Sequence, residues 1–165
     1  MGMRILYLLF LLLLQQPATA SSLSEVEALL GEDKAPDGVV FEILEDAQGL
    51  RWAIPQIINY STQLRTRFKA LPIAVMSHGR EEFALQRHRQ SEFPEVHLAV
   101  QSLNRKQGIL VHVCATHASW YQVNPEDFPD YVDVAPSGPA QIQAYEELGY
   151  QPIVISRDPE GTEAP

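Results

Sequence analysis

Cys114 is the only cysteine in the 165-residue chain, and its neighbours are residues that act on thiols. His112 stands two positions before it and His117 three after it, in Ile109-Leu110-Val111-His112-Val113-Cys114-Ala115-Thr116-His117. The thiolate, not the thiol, is the nucleophile and the metal ligand, and a free cysteine near its ordinary pKa of ~8.5 is mostly protonated at neutral pH. Three features would favour the anion: the N–H groups of a helix starting after Cys114, the His117 side chain turned back toward the sulfur, and His78 if its strand ends at the same sheet edge. Ser137 and Gly138 open a further helix at that edge, and with Gly79 and Thr116 they form the expected anion-binding side.

The same residues admit other readings. His112 and Cys114 point to one face of a strand, and with His117 and His78 they offer a nitrogen and sulfur ligand set suited to zinc or copper, at no standard spacing. His112 reads equally well as a packed structural residue. Cys114 itself reads as a small buried hydrophobe, the commonest fate of a free cysteine. Trp120 and Tyr121 would wall a pocket or meet another subunit, but packing over the sheet edge is the favoured reading. Glu126, Asp127, Asp130 and Asp133 read as a solvated acidic loop, and Glu45-Asp46 as helix-capping residues. No glycine-rich phosphate loop and no Gly-x-Ser-x-Gly elbow is present, so nucleotide-binding and ordinary hydrolase readings lack support.

The N-terminus bears on how such a thiol survives. Arg4, the apolar run Ile5 to Leu14 and Ala18-Thr19-Ala20 have the pattern of a secretory signal cut after Ala20. The run is too short for a spanning helix. Removal would leave 145 residues and change the net charge from −9 to −10. That length suits one domain with a real core. The acidity speaks against nucleic acid and for solubility. An exported domain with one cysteine has no internal disulfide, so the thiol is expected to be either buried or used.

The elements that must position these residues follow in order. Ser22 to Leu30 has helical spacing with Ser-x-x-Glu starts, ended by Gly31. Val39 to Leu44 reads as a strand, Leu50 to Phe68 as a long amphipathic helix with Pro55 in its first turns, and Pro72 to Ser77 as a buried strand ending in His78-Gly79. Glu81-Glu82 opens a polar segment through Gln90 that reads as helical. Val96 to Gln107 is a helix capped by Gly108, followed by the strand from Ile109 to Cys114. Val132 to Ala135 is a fourth strand, Ala140 to Leu148 a helix ended by Gly149, and Tyr150 to Ile155 a fifth strand. The segment from Ser156 to Pro165 reads as a fraying acidic tail. Strands separated by helices are expected to run parallel, giving a three-layer α/β/α sandwich with a mainly parallel sheet of about five strands.

Taken together, the strand-end His78-Gly79, Gly108-Ile109-Leu110-Val111-His112-Val113-Cys114, the acidic loop, Val132-Asp133-Val134-Ala135-Pro136-Ser137-Gly138 and Gly149-Tyr150 resemble the DsrE/DsrF-like sulfur-relay family over Val39 to Ile155. The resemblance implies a small α/β domain, usually a homo- or hetero-oligomer, that carries sulfane sulfur as a cysteine persulfide. The persulfide cysteine of that family matches Cys114. The chain departs from the family in its export signal and in having Thr116 two residues past the cysteine and His117 at the third, where a threonine is common.

These readings combine into an expectation: an exported, periplasmic or secreted sulfur carrier or sulfurtransferase using Cys114 with His117 and His78. No cofactor is implied. Its partners would be sulfur donor and acceptor proteins or small persulfides, with neither nucleic acid nor, after signal cleavage, membrane. The alternatives are a non-catalytic partner-binding or assembly module of the same fold, and a metal-binding protein using His112, Cys114 and His117.

Overall fold

A computed structural model describes residues 21–157. The expected signal segment and the tail beyond Arg157 lie outside the described residues. The sheet has five strands: β1 (Gly38–Ile43), β2 (Ile73–Ser77), β3 (Leu110–Cys114), β4 (Asp133–Ala135) and β5 (Tyr150–Ile155). Their order is β4-β3-β2-β1-β5, and every pairing is parallel. The helices are α1 (Ser22–Leu30), α2 (Leu50–Arg67), α3 (Pro94–Gln107), α4 (Ala115–Trp120) and α5 (Gly138–Glu147). The three-layer α/β/α sandwich is therefore what the chain adopts.

The layers follow from crossover handedness. The chain steps from β1 through β2 and β3 to β4 in one direction, then returns across the sheet to place β5 beyond β1. Right-handed crossovers put the helices of the outward steps on one face and the helix of the return step on the other. The side chains obey this division. Val39, Phe41, Ile43, Val75, Val111, Val113 and Ile153 share one core with Val26 of α1, Ile57 and Leu64 of α2, Val100 of α3 and Ala118 of α4. Val40, Ala74, Met76, Cys114 and Ala135 face the other way, onto Ile142 and Tyr145 of α5. Burial on both faces explains why the inner strands β1 and β2 and most of β3 read as continuous apolar runs, whereas the edge strands β4 and β5 keep exposed positions.

Local chemistry sets the element ends. Ser21, one residue before the expected Ser22, caps α1 by accepting from the Ser24 N–H. Pro94 opens α3, and Gly108 ends it in the left-handed conformation at φ +62° that a side chain disfavours. Pro55 lies in the first turns of α2 as expected, but not where a missing N–H costs nothing. It is the sixth residue of α2, past the four N–H groups that a helix leaves free, so the Arg51 carbonyl loses its partner. The segment expected to be helical from Glu81 to Gln90 is instead two 3-10 stretches, Arg80–Leu85 and Arg87–Arg89. Arg157, expected in a fraying tail, is tied down: its N–H donates to Glu45 Oε1 at 3.0 Å.

Pro55 is exposed and so contributes little packing. Restoring the N–H in Pro55→Ala should raise stability by about 1 kcal/mol or more, after the greater freedom of the unfolded alanine chain offsets part of the gain. Urea denaturation measures it, and an unchanged or lowered midpoint would show that α2 has accommodated the proline at no cost.

Candidate functional site

Cys114 ends β3 at a point where the chain turns both ways. The loop after β3 leads into α4 on the first face, while the loop after the neighbouring β4 leads into α5 on the second. This is a topological switch point, where open α/β sheets leave a crevice outside the strand ends. The sulfur occupies that crevice. Cys114 Sγ accepts the His117 N–H from α4 at 3.3 Å and the Gly138 N–H from α5 at 3.3 Å. Both donors are backbone groups in fixed positions, and both suit a negatively charged sulfur better than a neutral one.

Gly138 is needed there for its size. A Cβ at this position would lie 2.7 Å from His78 Cβ and 2.8 Å from His78 Cγ, so any side chain would push His78 or α5 away. The close approach of α5 to β2 is thus what carries the Gly138 N–H to the sulfur.

The thiol borders a cavity of about 600 Å³ at the carboxyl edge of the sheet. Its lining includes Cys114, His117, His78, Ser137, Gly79 and Thr116. Six of the residues singled out by sequence therefore meet in one cavity, and the seventh, Gly138, donates to the thiol. Their roles need correction. The Gly79 N–H is not available to an anion, since it donates to Glu81 Oε1 at 2.9 Å. Thr116 is likewise committed: its N–H and hydroxyl both donate to the Pro136 carbonyl, at 3.2 and 2.7 Å. The His117 ring does not turn back to the sulfur; its Nδ1 pairs with Glu82 Oε1 at 2.8 Å. His78 Nε2 pairs with Glu42 Oε1 at 2.7 Å.

The metal alternative loses its first ligand. His112 is buried, and its Nε2 is held by the Tyr145 hydroxyl at 2.8 Å on the α5 face. Burial holds His112 below the ordinary imidazole range. Among the described residues no three His, Cys, Asp or Glu side chains converge as a metal site.

Two residues essential to the arrangement escaped sequence reasoning. Glu81 and Glu82 are both fully buried. Glu81 accepts from the Ser77 hydroxyl (2.8 Å), the Gly79 N–H and the Glu45 N–H (2.7 Å), tying the end of β1 to the end of β2. Burial pushes its carboxyl up, against the pull of these donors. Glu82 accepts the Cys114 N–H on Oε2 at 2.8 Å while its other oxygen holds His117. Burial, with a smaller contribution from the Glu81 charge, pushes Glu82 up to about 8, against the Cys114 hydrogen bond. Burial and the neighbouring His78 hold His117 below its ordinary range. Both shifts favour the neutral pair, in which Glu82 would donate its proton to Nδ1 and the imidazole would carry its own on Nε2.

Other expectations shift as well. Trp120 does not pack over the sheet edge: it lines the cavity and is 72% exposed. Tyr121 stacks edge-on against Phe83, at 4.9 Å. Neither Glu45 nor Asp46 caps a helix as expected: Glu45 borders the cavity and binds Arg157, and Asp46 accepts the Gln48 N–H at 2.8 Å in the turn before α2, whose start has no side-chain cap. Cys114, His117 and Glu82 are the residue types of a cysteine hydrolase triad. The acid-to-histidine contact is made, but both hydrogen bonds to the sulfur come from backbone groups rather than from an imidazole nitrogen.

No protein-family model matches the chain, and no curated protein matches it. Among solved structures it is similar to MTH1491, a protein of unknown function from Methanobacterium thermoautotrophicum, with 22% identity and a TM-score of 0.56 over 70% of this chain and 96% of that one. It also aligns with BT1422, a conserved protein of unknown function from Bacteroides thetaiotaomicron, with 13% identity and a TM-score of 0.47 over 70% and 94% of the two chains. The first likeness supports the α/β architecture and says nothing of chemistry.

The two buried carboxyls should respond oppositely to one substitution. Glu82→Gln reproduces the neutral acid, its oxygen accepting from Cys114 and its amide donating to His117, and should change stability at neutral pH by less than about 1 kcal/mol. Glu81→Gln turns an amide N–H toward backbone N–H donors and should cost about 1–3 kcal/mol. The pH dependence follows from linkage. Folding raises Glu82 from 4.5 to about 8, so in that interval the folded state holds a proton the unfolded chain has released. Stability then falls as pH rises, by up to about 1.4 kcal/mol per unit. Thermal melts between about pH 6.5 and 8 should show this decline in the wild type and a flatter one in Glu82→Gln; parallel curves would contradict the neutral pair.

Proposed function

We propose that the protein is an exported DsrE-like sulfur carrier that holds sulfane sulfur as a persulfide on Cys114. The observation that carries the reading is the pair of backbone N–H groups, from His117 and Gly138, that converge on Sγ from two diverging helices beside a cavity. The resemblance of His78-Gly79, the strand-end Cys114 and Pro136-Ser137-Gly138 to the sulfur-relay family supports it independently.

The chemistry is a displacement at sulfur. The Cys114 thiolate attacks the outer sulfur of a donor R–S–SH. A new S–S bond forms as the donor's S–S bond breaks, and R–S⁻ leaves with the electron pair and takes up a proton. His117, which lines the cavity and is paired through Nδ1 to Glu82, is suited to relay that proton, Glu82 giving its proton to Nδ1 as Nε2 gives up its own. In the second half an acceptor nucleophile takes the outer sulfur, and Cys114 departs as thiolate. No metal or redox cofactor enters either displacement.

Incubating the purified protein with inorganic polysulfide should add about 32 Da, one sulfur atom, on Cys114 and none in Cys114→Ser. Gly138→Ala, which displaces one N–H donor, should lower the yield of the adduct. A folded wild-type protein that alkylates at Cys114 yet gains no sulfur would overturn the reading.

A further inference from the structure

The geometry of the cavity points to a class of sulfur donor: we infer that Cys114 takes its sulfur from a small organic persulfide with an apolar, ring-sized body and an anionic end. The inference rests on the persulfide reading above and adds what the donor must be.

Three observations converge on it. The first is depth. Cys114 is only 4% exposed, so a donor must bring its sulfur down to the thiol. A cysteine fixed on the surface of a folded protein is poorly suited to that approach, whereas a free small molecule is well suited. The second is size and lining. A cavity of about 600 Å³ lies within the range of small-molecule sites and far exceeds two or three sulfur atoms. Leu44, Trp120 and Pro139 give it apolar walls, and Leu44 and Trp120 are 61% and 72% exposed. An inorganic polysulfide, a compact hydrated anion, gains nothing from such walls, while an aromatic or branched organic body buries them.

The third observation is charge. The other ionisable groups at the cavity already have partners: Glu45 has Arg157, His78 has Glu42, and His117 has Glu82. Arg80 alone lines the cavity with no ion pair or hydrogen bond among the described residues. An exposed, uncommitted guanidinium at the rim of a cavity in a strongly acidic chain selects an anion, and its fork fits a carboxylate in two places at once. The donor thus places its sulfur at Cys114, its apolar body against Trp120 and Leu44, and its anionic end at Arg80. Transfer proceeds as before: the thiolate attacks the outer sulfur, the donor's S–S bond breaks, and the organic thiolate leaves and is protonated.

The experiment measures the rate of the one-sulfur adduct on Cys114 in the full protein with three donors: inorganic polysulfide, benzyl persulfide and para-carboxybenzyl persulfide. The wild type should react fastest with the carboxylated donor. In Arg80→Gln the ratio of carboxybenzyl to benzyl rates should fall about tenfold, the loss of one charge-assisted contact. In Trp120→Ala the ratio of benzyl to polysulfide rates should fall by about the same factor. Both side chains are exposed, so neither substitution threatens folding. If polysulfide modifies Cys114 but the ratios are unchanged in both variants, the donor class is wrong and the persulfide reading stands. If no donor adds sulfur, both fall together.

Discussion

Burying two consecutive glutamates behind the carboxyl edge of the sheet is the interaction on which the site depends. A buried carboxyl without partners costs several kcal/mol, and the fold tolerates two only because every oxygen is satisfied. Glu81 collects donors from three backbone and side-chain groups around the ends of β1 and β2. Glu82 holds the last N–H of β3 and the ring of His117. His97 of α3 secures the segment that carries them, pairing with the Ala84 carbonyl at 2.9 Å and the Tyr131 hydroxyl at 2.6 Å. The two acids differ in what they do. Glu81 receives donors only, whereas Glu82 shares a proton with an imidazole.

The second constraint is topological. Because the strand order reverses after β4, the helices that follow β3 and β4 start side by side and lead to opposite faces. Two backbone N–H groups thereby point at one atom without any side chain having to be recruited. Gly138 makes the approach close enough, since His78 occupies the space a side chain would fill. The same divergence opens the cavity beside the sulfur. Site and fold are in this sense one feature, with the reactive atom held where the sheet changes direction.

Much of this was legible in the sequence, and the residues that were not share a physical reason. The inner strands β1 and β2 and most of β3 are buried on both faces and read as apolar runs; the helices carry apolar faces, Gly108 marks the end of α3, and Cys114 falls where the apolar run stops. The strand-end residues His78, Cys114 and Ser137-Gly138 could be gathered at one edge because parallel strands all end there. Glu81 and Glu82 were hidden because two adjacent charges read as the solvated start of a helix. Their partners Glu45, Cys114 and His117 lie 36, 32 and 35 residues away. The usable sign was a tandem of acids wedged between the strand-end His78-Gly79 and the apolar Phe83-Ala84-Leu85. The direction of the His117 ring was hidden for the same reason, since Glu82 is what turns it. The donors of Thr116 and Gly79, expected on the anion-binding side, are used first by their own neighbours, Pro136 and Glu81.

The central claim is that the amides of His117 and Gly138 hold the sulfur of Cys114 and would hold its persulfide. Amide nitrogen–proton spectra of the protein before and after treatment with polysulfide test this directly. The account predicts that the His117 and Gly138 amide resonances move most, downfield in the proton dimension as the sulfur gains charge, while the rest of the sheet stays in place. Persulfidation of Cys114 that leaves both amides unmoved would contradict it.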